Sequence, residues 1–566
     1  MSELTSLKTL AERARGLGRA VAAPGTTTLA SVPDGLTGKV VADLAREAGR
    51  RIVFVGRDGQ RLDEVRRTIR FFAPDLPLLD FPAWDCVPYD RVSPHPTVVA
   101  KRMATLSALV APAKGPSVLL TTVNAILQRT PPRAFVEKGS FSAAPGNVIA
   151  MDDLVAWLEG NGFLRTATVR EPGEYAVRGG ILDLYAAGAE APVRLDFFGD
   201  TLETIRAFDA ETQRSTVSRP RIDLVPANEM VLSPEAIGKF RVAYVRRFGA
   251  AERSALLCAS VSEGRRHVGM EHWLPLFFDR IDTLFDYAGD APVVIDHLAD
   301  EAVGERLAEI ADHYDARRTA LETAKEGSVP YKPLPADELY LTQGDWNERL
   351  AALAVVRVSP FARPEAETVI DIGGRRGRSF APERTAGNVN IYDALIAHID
   401  ALAKAGKRVV LAAWSEGSRD RTGQVLVDHG LERLKAVADY PEAEKLADGT
   451  LALGVLGLEE GFETDRLAVI GEQDILGDRL VRPHQKRRPV DFLSDVAGLN
   501  EGDLVVHIDH GIGRFAGLKT IEAAGAPHDC LEILYAGGDR VYLPVENIEL
   551  LSRYGSEESE VPLDKL

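Results

Sequence analysis

A glycine–lysine pair at Gly38-Lys39 is the nearest this chain comes to a phosphate-handling motif. A P-loop needs Gly-x-x-x-x-Gly-Lys-Ser/Thr. Backbone N–H groups cradle the phosphates, the lysine neutralises them, and the hydroxyl holds magnesium. Here the stretch reads Pro33-Asp-Gly-Leu-Thr-Gly38-Lys39-Val40 and runs into a helical period, so its location suits the motif. Pro33 removes an amide, Asp34 adds negative charge where phosphates would lie, and Val40 lacks the hydroxyl. The stretch reads as a P-loop that has lost ATP binding, or as coincidence.

Other titratable groups assemble no catalytic constellation. His507, Asp509 and His510 share a glycine-rich turn without a third ligand, so a polar turn is the default over a metal or acid–base role. Ser93-Pro94-His95-Pro96 is a rigid loop rather than a triad fragment. Glu459-Glu460 and Glu472 with Asp474 read as solvated loop charge rather than paired carboxylates. Cys86, Cys258 and Cys530 are far apart and form no CxxC or zinc spacing. No catalytic residue, metal or cofactor is assigned.

The stretch 170–200 offers binding chemistry instead. Turn signals at Pro172-Gly173, Gly179-Gly180 and Gly199-Asp200 bound alternating runs. In Val193–Phe198, Val193, Leu195 and Phe197 fall on one face, and Arg194, Asp196 and Phe198 on the other. The first set can cover a core. The second puts an aromatic beside charges where water is expected, the composition of a partner-binding anchor. A strand buried on both faces, with Arg194 paired internally, fits the same parity, and parity alone leaves the two open.

The elements around these residues fix the fold class. Helical periods at 36–48 and 62–72 alternate with apolar strand runs at 51–55, 76–79 and 117–121, the last followed by a helix at 123–128. This argues for a mostly parallel sheet with covering helices over residues 1–138. Residues 139–225 change texture to turn-punctuated strands, a β-rich insertion. Residues 226–345 complete the interrupted domain. They carry helices at 234–248 (apolar at Ala236, Phe240, Val242 and Val245) and 300–323, a strand at 293–295, and a Pro-rich linker at 325–345. A second, small α/β domain spans 350–478, with strands at 408–413, 450–455 and 467–470 and a helix at 422–429. It bears no legible motif, and a spacer is its plainest role. A basic linker, 479–497, carries Arg479, Arg482, Lys486, Arg487 and Arg488. Short runs at 503–508, 513–515, 519–522, 530–535 and 540–543, separated by glycines, predict an SH3-like or Tudor-like barrel over 498–555. The acidic stretch 556–566 reads as the start of a further linker.

Composition narrows the function classes. The 566 residues are 45% hydrophobic and 27% charged, an ordinary multidomain globular make-up. A net charge of −17 excludes nucleic-acid binding through the surface as a whole; such contact would need a local basic patch. The basic run at 479–488 favours a solvated linker over a phosphate contact. No apolar run is long enough for a bilayer, the first residues form no secretory signal, and the isolated thiols suit a reducing compartment. The expectation is a cytoplasmic, monomeric protein with no membrane partner.

Three stretches together resemble the bacterial transcription-repair coupling factors. They are Phe81-Pro-Ala-Trp-Asp-Cys-Val-Pro-Tyr-Asp-Arg-Val-Ser-Pro94; Gly173-Glu-Tyr-Ala-Val-Arg-Gly-Gly-Ile-Leu-Asp-Leu-Tyr185 with Arg194-Leu-Asp-Phe-Phe198; and Val505-Val-His-Ile-Asp-His-Gly-Ile-Gly-Arg-Phe-Ala-Gly517 with Leu543-Pro-Val-Glu546. The resemblance covers nearly the whole chain in the family's order. It implies that the first α/β domain and its insertion are similar to the N-terminal half of UvrB, and that the insertion binds UvrA through Arg178, Arg194 and Phe198. It implies that the last module is CarD-like and docks on the RNA polymerase β subunit by a strand edge, for which Lys519, Thr520, Ile521 and Glu522 are the candidates by strand position. UvrB's true P-loop is replaced by Pro33…Val40, and its aromatic DNA-gripping hairpin by 89–102. The resemblance therefore implies an adaptor without its own ATPase, the N-terminal half of a family member. ATP, magnesium and most DNA contact would belong to a translocase that the chain does not reach. The alternatives are a UvrB-like ATP-dependent helicase and a stand-alone CarD-like regulator.

Overall fold

The computed structural model describes residues 16–249, 256–324, 331–364, 366–386, 390–477, 502–507, 511–523, 526–544 and 551–553. They fall into two compact units, Met1–Arg479 and Leu480–Leu566.

Apolar runs such as Ile52-Val-Phe-Val55 cannot meet water on either side, and the first unit buries them in a seven-stranded sheet. Its order is Val369–Asp371, Gly25–Ala30, Ala354–Val358, Val293–Ile295, Arg51–Gly56, Ser117–Thr122 and Leu78–Phe81, every pairing parallel. Alternate residues serve opposite cores. Ile52, Phe54, Val118 and Leu120 pack with helices Thr37–Ala48 and Gly59–Phe72. Val53, Val55 and Leu119 pack with Pro96–Val110 and Ala299–Glu322. This is the expected parallel sheet with covering helices.

Two expectations are corrected. The stretch 325–345 is not a linker where it is described: Tyr331, Leu334, Leu339, Tyr340 and Leu341 are buried. Nor does the second α/β domain begin at 350, because Ala354–Val358 lies inside the first sheet, between Gly25–Ala30 and Val293–Ile295. Proline content records local turn propensity, whereas these apolar residues are spaced irregularly and find partners remote in sequence. On helix Pro234–Phe248 the buried residues are Phe240 and Tyr244, while Val242 and Val245 are exposed. At 3.6 residues per turn, Phe240 and Val242 point to opposite sides.

The β-rich insertion begins and ends on one ribbon, in which Phe141–Ala143 pairs antiparallel with Ile222–Leu224. Between them lies a six-stranded sheet in the order Ser215–Ser218, Thr201–Phe208, Val193–Phe198, Ile181–Leu184, Glu174–Arg178, Leu164–Arg165. All its pairings are antiparallel except the last. Its inner face buries Tyr175, Leu182, Leu184, Leu195, Leu202 and Ile205 against Leu154 and Leu158 of helix Met151–Gly160.

A second α/β sheet runs Arg375–Arg376, Phe462–Glu463, Leu467–Gly471, Arg408–Ala413, Leu451–Val455, Leu434–Ala436. Its inner pairings are parallel and those at the Arg375–Arg376 edge antiparallel. Its Val410, Ala412 and Phe462, with Leu456 just past one strand, share one apolar core with Leu36 and with Phe71 and Phe72 of helix Gly59–Phe72. Gly454 permits this approach, since a Cβ there would lie 2.7 Å from the Phe71 ring.

The second unit is a five-stranded antiparallel sheet ordered Arg540–Pro544, Ala526–Leu534, Gly511–Ala523, Leu504–His507, Leu551–Arg553. The runs expected at 513–515 and 519–522 are one strand. Its register shifts between Phe515 and Gly517, so the glycine marks a bulge rather than a turn. Among the described residues no pairing joins the two edge strands, so the sheet they form is open rather than the expected closed barrel. The linker 479–497 and the stretch 556–566 lie outside the described residues.

Candidate protein-docking face

The insertion's sheet gives Val193–Phe198 the expected polarity. Val193 and Leu195 are buried, and Phe197 packs against the same core. Phe198 stands 77% exposed at the end of the strand. It precedes the Gly199-Asp200 turn, pairs with Thr201, and Gly199 supplies the positive φ of 57°. A neighbouring hairpin, Glu174–Arg178 to Ile181–Leu184, turns at Gly179-Gly180 beside it. The Phe197 N–H donates to the Gly180 carbonyl at 2.8 Å, and a Cβ on Gly180 would sit 2.9 Å from the Phe197 carbonyl. The two hairpin ends therefore abut only because residue 180 has no side chain.

Cross-strand register puts the predicted residues on one face. Asp183 opposes Arg194, and Arg194 opposes Arg206; one pair along, Ile181 opposes both Arg178 and Asp196. Directly opposed residues share a face, so Arg178, Arg194 and Phe198 lie together on the outer side. Both earlier readings of Arg194 hold in part. It faces outward, yet it donates from Nε and Nη2 to the two Asp183 oxygens at 2.7 and 2.9 Å, with its guanidinium 5.0 Å from the Phe208 ring. The hydrogen bonds to Asp183, opposed by burial, raise its pKa. Arg178, half-exposed, donates to the Ala167 carbonyl at 2.6 Å. Asp196 accepts from Thr204 at 2.6 Å and Arg206 at 2.5 Å. Burial works to raise its pKa, and these bonds leave it below the ordinary carboxylate range.

Sequence reasoning missed two members of this face. Asp183 looked like part of an alternating run and gave no sign that it would accept Arg194. Val148 lies outside every expected strand, yet it bridges to Thr201, in line with Phe198, and is 78% exposed. Successive strands lie about 4.8 Å apart, so Phe198 and Val148 flank Thr201 as an apolar pair beside the arginines.

The P-loop-like stretch is occupied by the chain itself. The Arg61 guanidinium, 2% exposed, donates to Thr37 Oγ1 at 2.8 Å, to the Asp34 carbonyl at 3.3 Å and to Asp296 at 3.1 Å. Burial works against this charge, but Asp296, Asp34 and Glu64 outweigh it and raise the pKa. Lys39 pairs with Asp43 at 2.8 Å. Gly38 serves helix packing, because a Cβ there would lie 2.6 Å from Thr68 Cβ. At this stretch the chain's own Arg61 thus holds the Asp34 carbonyl and the Thr37 hydroxyl, and two helices meet closely at Gly38.

The remaining candidates settle as structural parts. His95 caps helix Pro96–Val110 through Nδ1. Glu472 and Asp474 are buried rather than solvated, a correction: Glu472 accepts from the Trp414 N–H at 3.0 Å, and Asp474 from the Gly461 and Gly471 N–H groups at 2.8 Å. Glu460 pairs with Arg376. Asp509 and His510 lie outside the described residues, among which no group of three or more His, Cys, Asp or Glu could hold a metal. No helix among them is long and apolar enough to cross a membrane.

In the second unit, Lys519–Glu522 pairs on one side with Pro527–Cys530, in register Lys519 to Cys530 and Glu522 to Pro527. On the other side Leu504–His507 reaches only Gly511–Arg514. Among the described residues the backbone of Lys519–Glu522 thus pairs on one side only, as a candidate edge must. The Lys519 ammonium lies 3.7 Å from Glu532 and over the Tyr542 ring.

Two family models match these modules. One, described as the UvrB interaction domain, covers residues 141–230; the other, described as the CarD-like/TRCF RID domain, covers 499–555. The chain matches one part of the transcription-repair-coupling factors. It is 33% identical to that of Rickettsia bellii over 88% of this chain and 42% of the relative. It is 31% identical to that of Escherichia coli over 94% and 46%, and 26% to that of Bacillus subtilis over 92% and 44%. The chain thus spans less than half the length of these curated relatives, in agreement with the expected N-terminal portion of such a factor.

Proposed function

We propose that this chain is the adaptor portion of a transcription-coupled nucleotide-excision-repair factor. Its insertion binds UvrA through Arg178, Arg194 and Phe198. Its second unit, as a CarD-like module of the SH3 or Tudor barrel type, docks on the RNA polymerase β subunit along Lys519–Glu522. The observation that carries the reading is Phe198, 77% exposed at a hairpin end beside two arginines. An aromatic there has no core to serve, and aromatic–arginine clusters are where interface energy concentrates. In this reading the chain uses no cofactor, and ATP, magnesium and most DNA contact belong to the remainder of full-length factors.

The test is separate pull-down of UvrA and RNA polymerase by the wild-type chain and by an Arg194→Ala/Phe198→Ala variant. The variant is expected to lose UvrA and keep polymerase. Normal UvrA capture by a folded variant would refute the site. The helicase alternative requires nucleotide near Lys39, beside which Arg61 bonds Thr37 and Asp296; saturable ATP binding abolished by Lys39→Ala would favour it. The stand-alone regulator alternative predicts that polymerase binding is the chain's only activity.

A further inference from the structure

We propose that Asp183 is a positioning residue of the docking face, a single buried carboxylate that fixes the geometry of Arg194 and attracts Arg178, the two arginines offered to UvrA. This rests on the UvrA reading above and names the group that makes that site rigid.

Asp183 lies on Ile181–Leu184, the strand between the two that bear Arg178 and Arg194. Its side chain is 2% exposed. A carboxylate so buried stays charged only if paired, and its partners come from both sides. Arg194 binds it through two hydrogen bonds at 2.7 and 2.9 Å, and Nη1 of Arg178 stands 4.0 Å from Oδ2. The fork fixes the plane of the Arg194 guanidinium, because a bidentate pair sets direction as well as distance. Phe208 supports that plane from below, within a small outer-face cluster with Val169 and Ala176. The other contacts of Arg194, from Nη1 to the Gln213 carbonyl at 3.4 Å and Ser215 Oγ at 3.5 Å, are long. Donor capacity at Nη1 therefore remains for a partner.

The arrangement matters for association. A free arginine samples many rotamers, and a partner that must order it loses affinity. For Arg194 the fork to Asp183 supplies that order before the partner arrives. The charge balance also suits a carboxylate-bearing surface: Arg178, Arg194 and Arg206 face two acids, Asp183 and Asp196, leaving one positive charge on a face of a protein whose net charge is −17.

The experiment measures the dissociation constant of the full chain for purified UvrA, with thermal unfolding as a check on folding. Asp183→Asn keeps the shape but removes the charge that holds the fork, and is expected to weaken binding about tenfold, the effect of freeing one or two long side chains. Arg194→Lys, which keeps the charge and loses the fork, is expected to weaken it comparably, and it carries the test if the Asn variant fails to fold. The deciding readout is a double-mutant cycle. In an Arg178→Ala/Arg194→Ala background, Asp183→Asn should produce no further loss, because nothing remains to be positioned. An undiminished loss in that background would make Asp183 merely structural and overturn the proposal. So would wild-type affinity of folded Asp183→Asn or Arg194→Lys while Arg194→Ala binds weakly. If Arg178→Ala, Arg194→Ala and Phe198→Ala all bind like wild type, the UvrA reading itself fails and the proposal falls with it.

Discussion

Glu229 holds the point where the insertion rejoins the first α/β lobe, and its removal should be among the costlier single changes in the chain. The carboxylate is almost fully buried. It accepts from Arg102 Nε at 2.5 Å and Nη2 at 3.2 Å and from Trp84 Nε1 at 2.9 Å. Arg102 is as deeply buried, lies 4.2 Å from the Phe81 ring, and donates also to the Pro82 carbonyl at 2.9 Å. Glu229→Ala leaves that guanidinium without a counter-charge and away from water. Breaking a buried pair in this way costs about 3–5 kcal/mol, and the Trp84 donor left unpaired adds about 1 kcal/mol. With a urea slope of about 3 kcal/mol per molar, the midpoint of the first unit should fall by at least about 1 M, followed by tryptophan fluorescence. Replacing both partners, Arg102→Met with Glu229→Met, removes the stranded charge and should recover most of the loss, because desolvation no longer opposes folding. A Glu229→Ala midpoint indistinguishable from wild type, or a double variant no better than the single, would refute this account.

Two further changes test other parts of the molecule. Val148→Ser alters a side chain that is 78% exposed, so unfolding should stay within about 0.5 kcal/mol of wild type; on the proposed UvrA reading binding should weaken severalfold, and unchanged affinity would remove Val148 from the face. His272 is buried with neither ring nitrogen hydrogen-bonded, and burial, aided by Arg317, pushes its pKa down to about 3. Its folded pKa lies below the unfolded value, so its contribution to stability is present above about pH 6.5 and is lost as pH falls toward 3, at up to about 1.4 kcal/mol per unit. His272→Phe should flatten the urea midpoint against pH between 6 and 4, and an unchanged slope would show that other groups set the acid limit.

What could be read from sequence follows the range of the interactions. The strands at Arg51–Gly56 and Arg408–Ala413 and the parity of Val193–Phe198 were legible because each depends on periodicity within a few residues. Ala354–Val358 was assigned to the wrong domain because its place between Gly25–Ala30 and Val293–Ile295 depends on pairing across more than 300 residues for one neighbour. Gly25–Ala30 itself carries three threonines and only half a buried pattern, so its sequence resembles a loop. At the docking face, composition singled out Arg194 and Phe198, while Asp183 and Val148 acquire meaning only from cross-strand register. The P-loop reading recognised what Pro33 and Val40 lack, but not that Arg61, from the next helix, bonds the Asp34 carbonyl and the Thr37 hydroxyl.

The ribbon of Phe141–Ala143 and Ile222–Leu224 has a mechanical consequence. Both connections to the lobe leave from the same end, beside the Phe141–Leu224 pair, where Gly139 and Pro226 are so close that a Cβ on the glycine would lie 2.4 Å from the proline ring. A pull that draws the insertion away from the lobe therefore runs along both strands together, from the lobe end to the insertion end, so the two backbones share the load and the pairing between them is not what yields. What such a pull must break first is the packing of the insertion on the lobe, at Ala187 in the lobe's core and at Gly188, where a Cβ would lie 2.3 Å from Ala104.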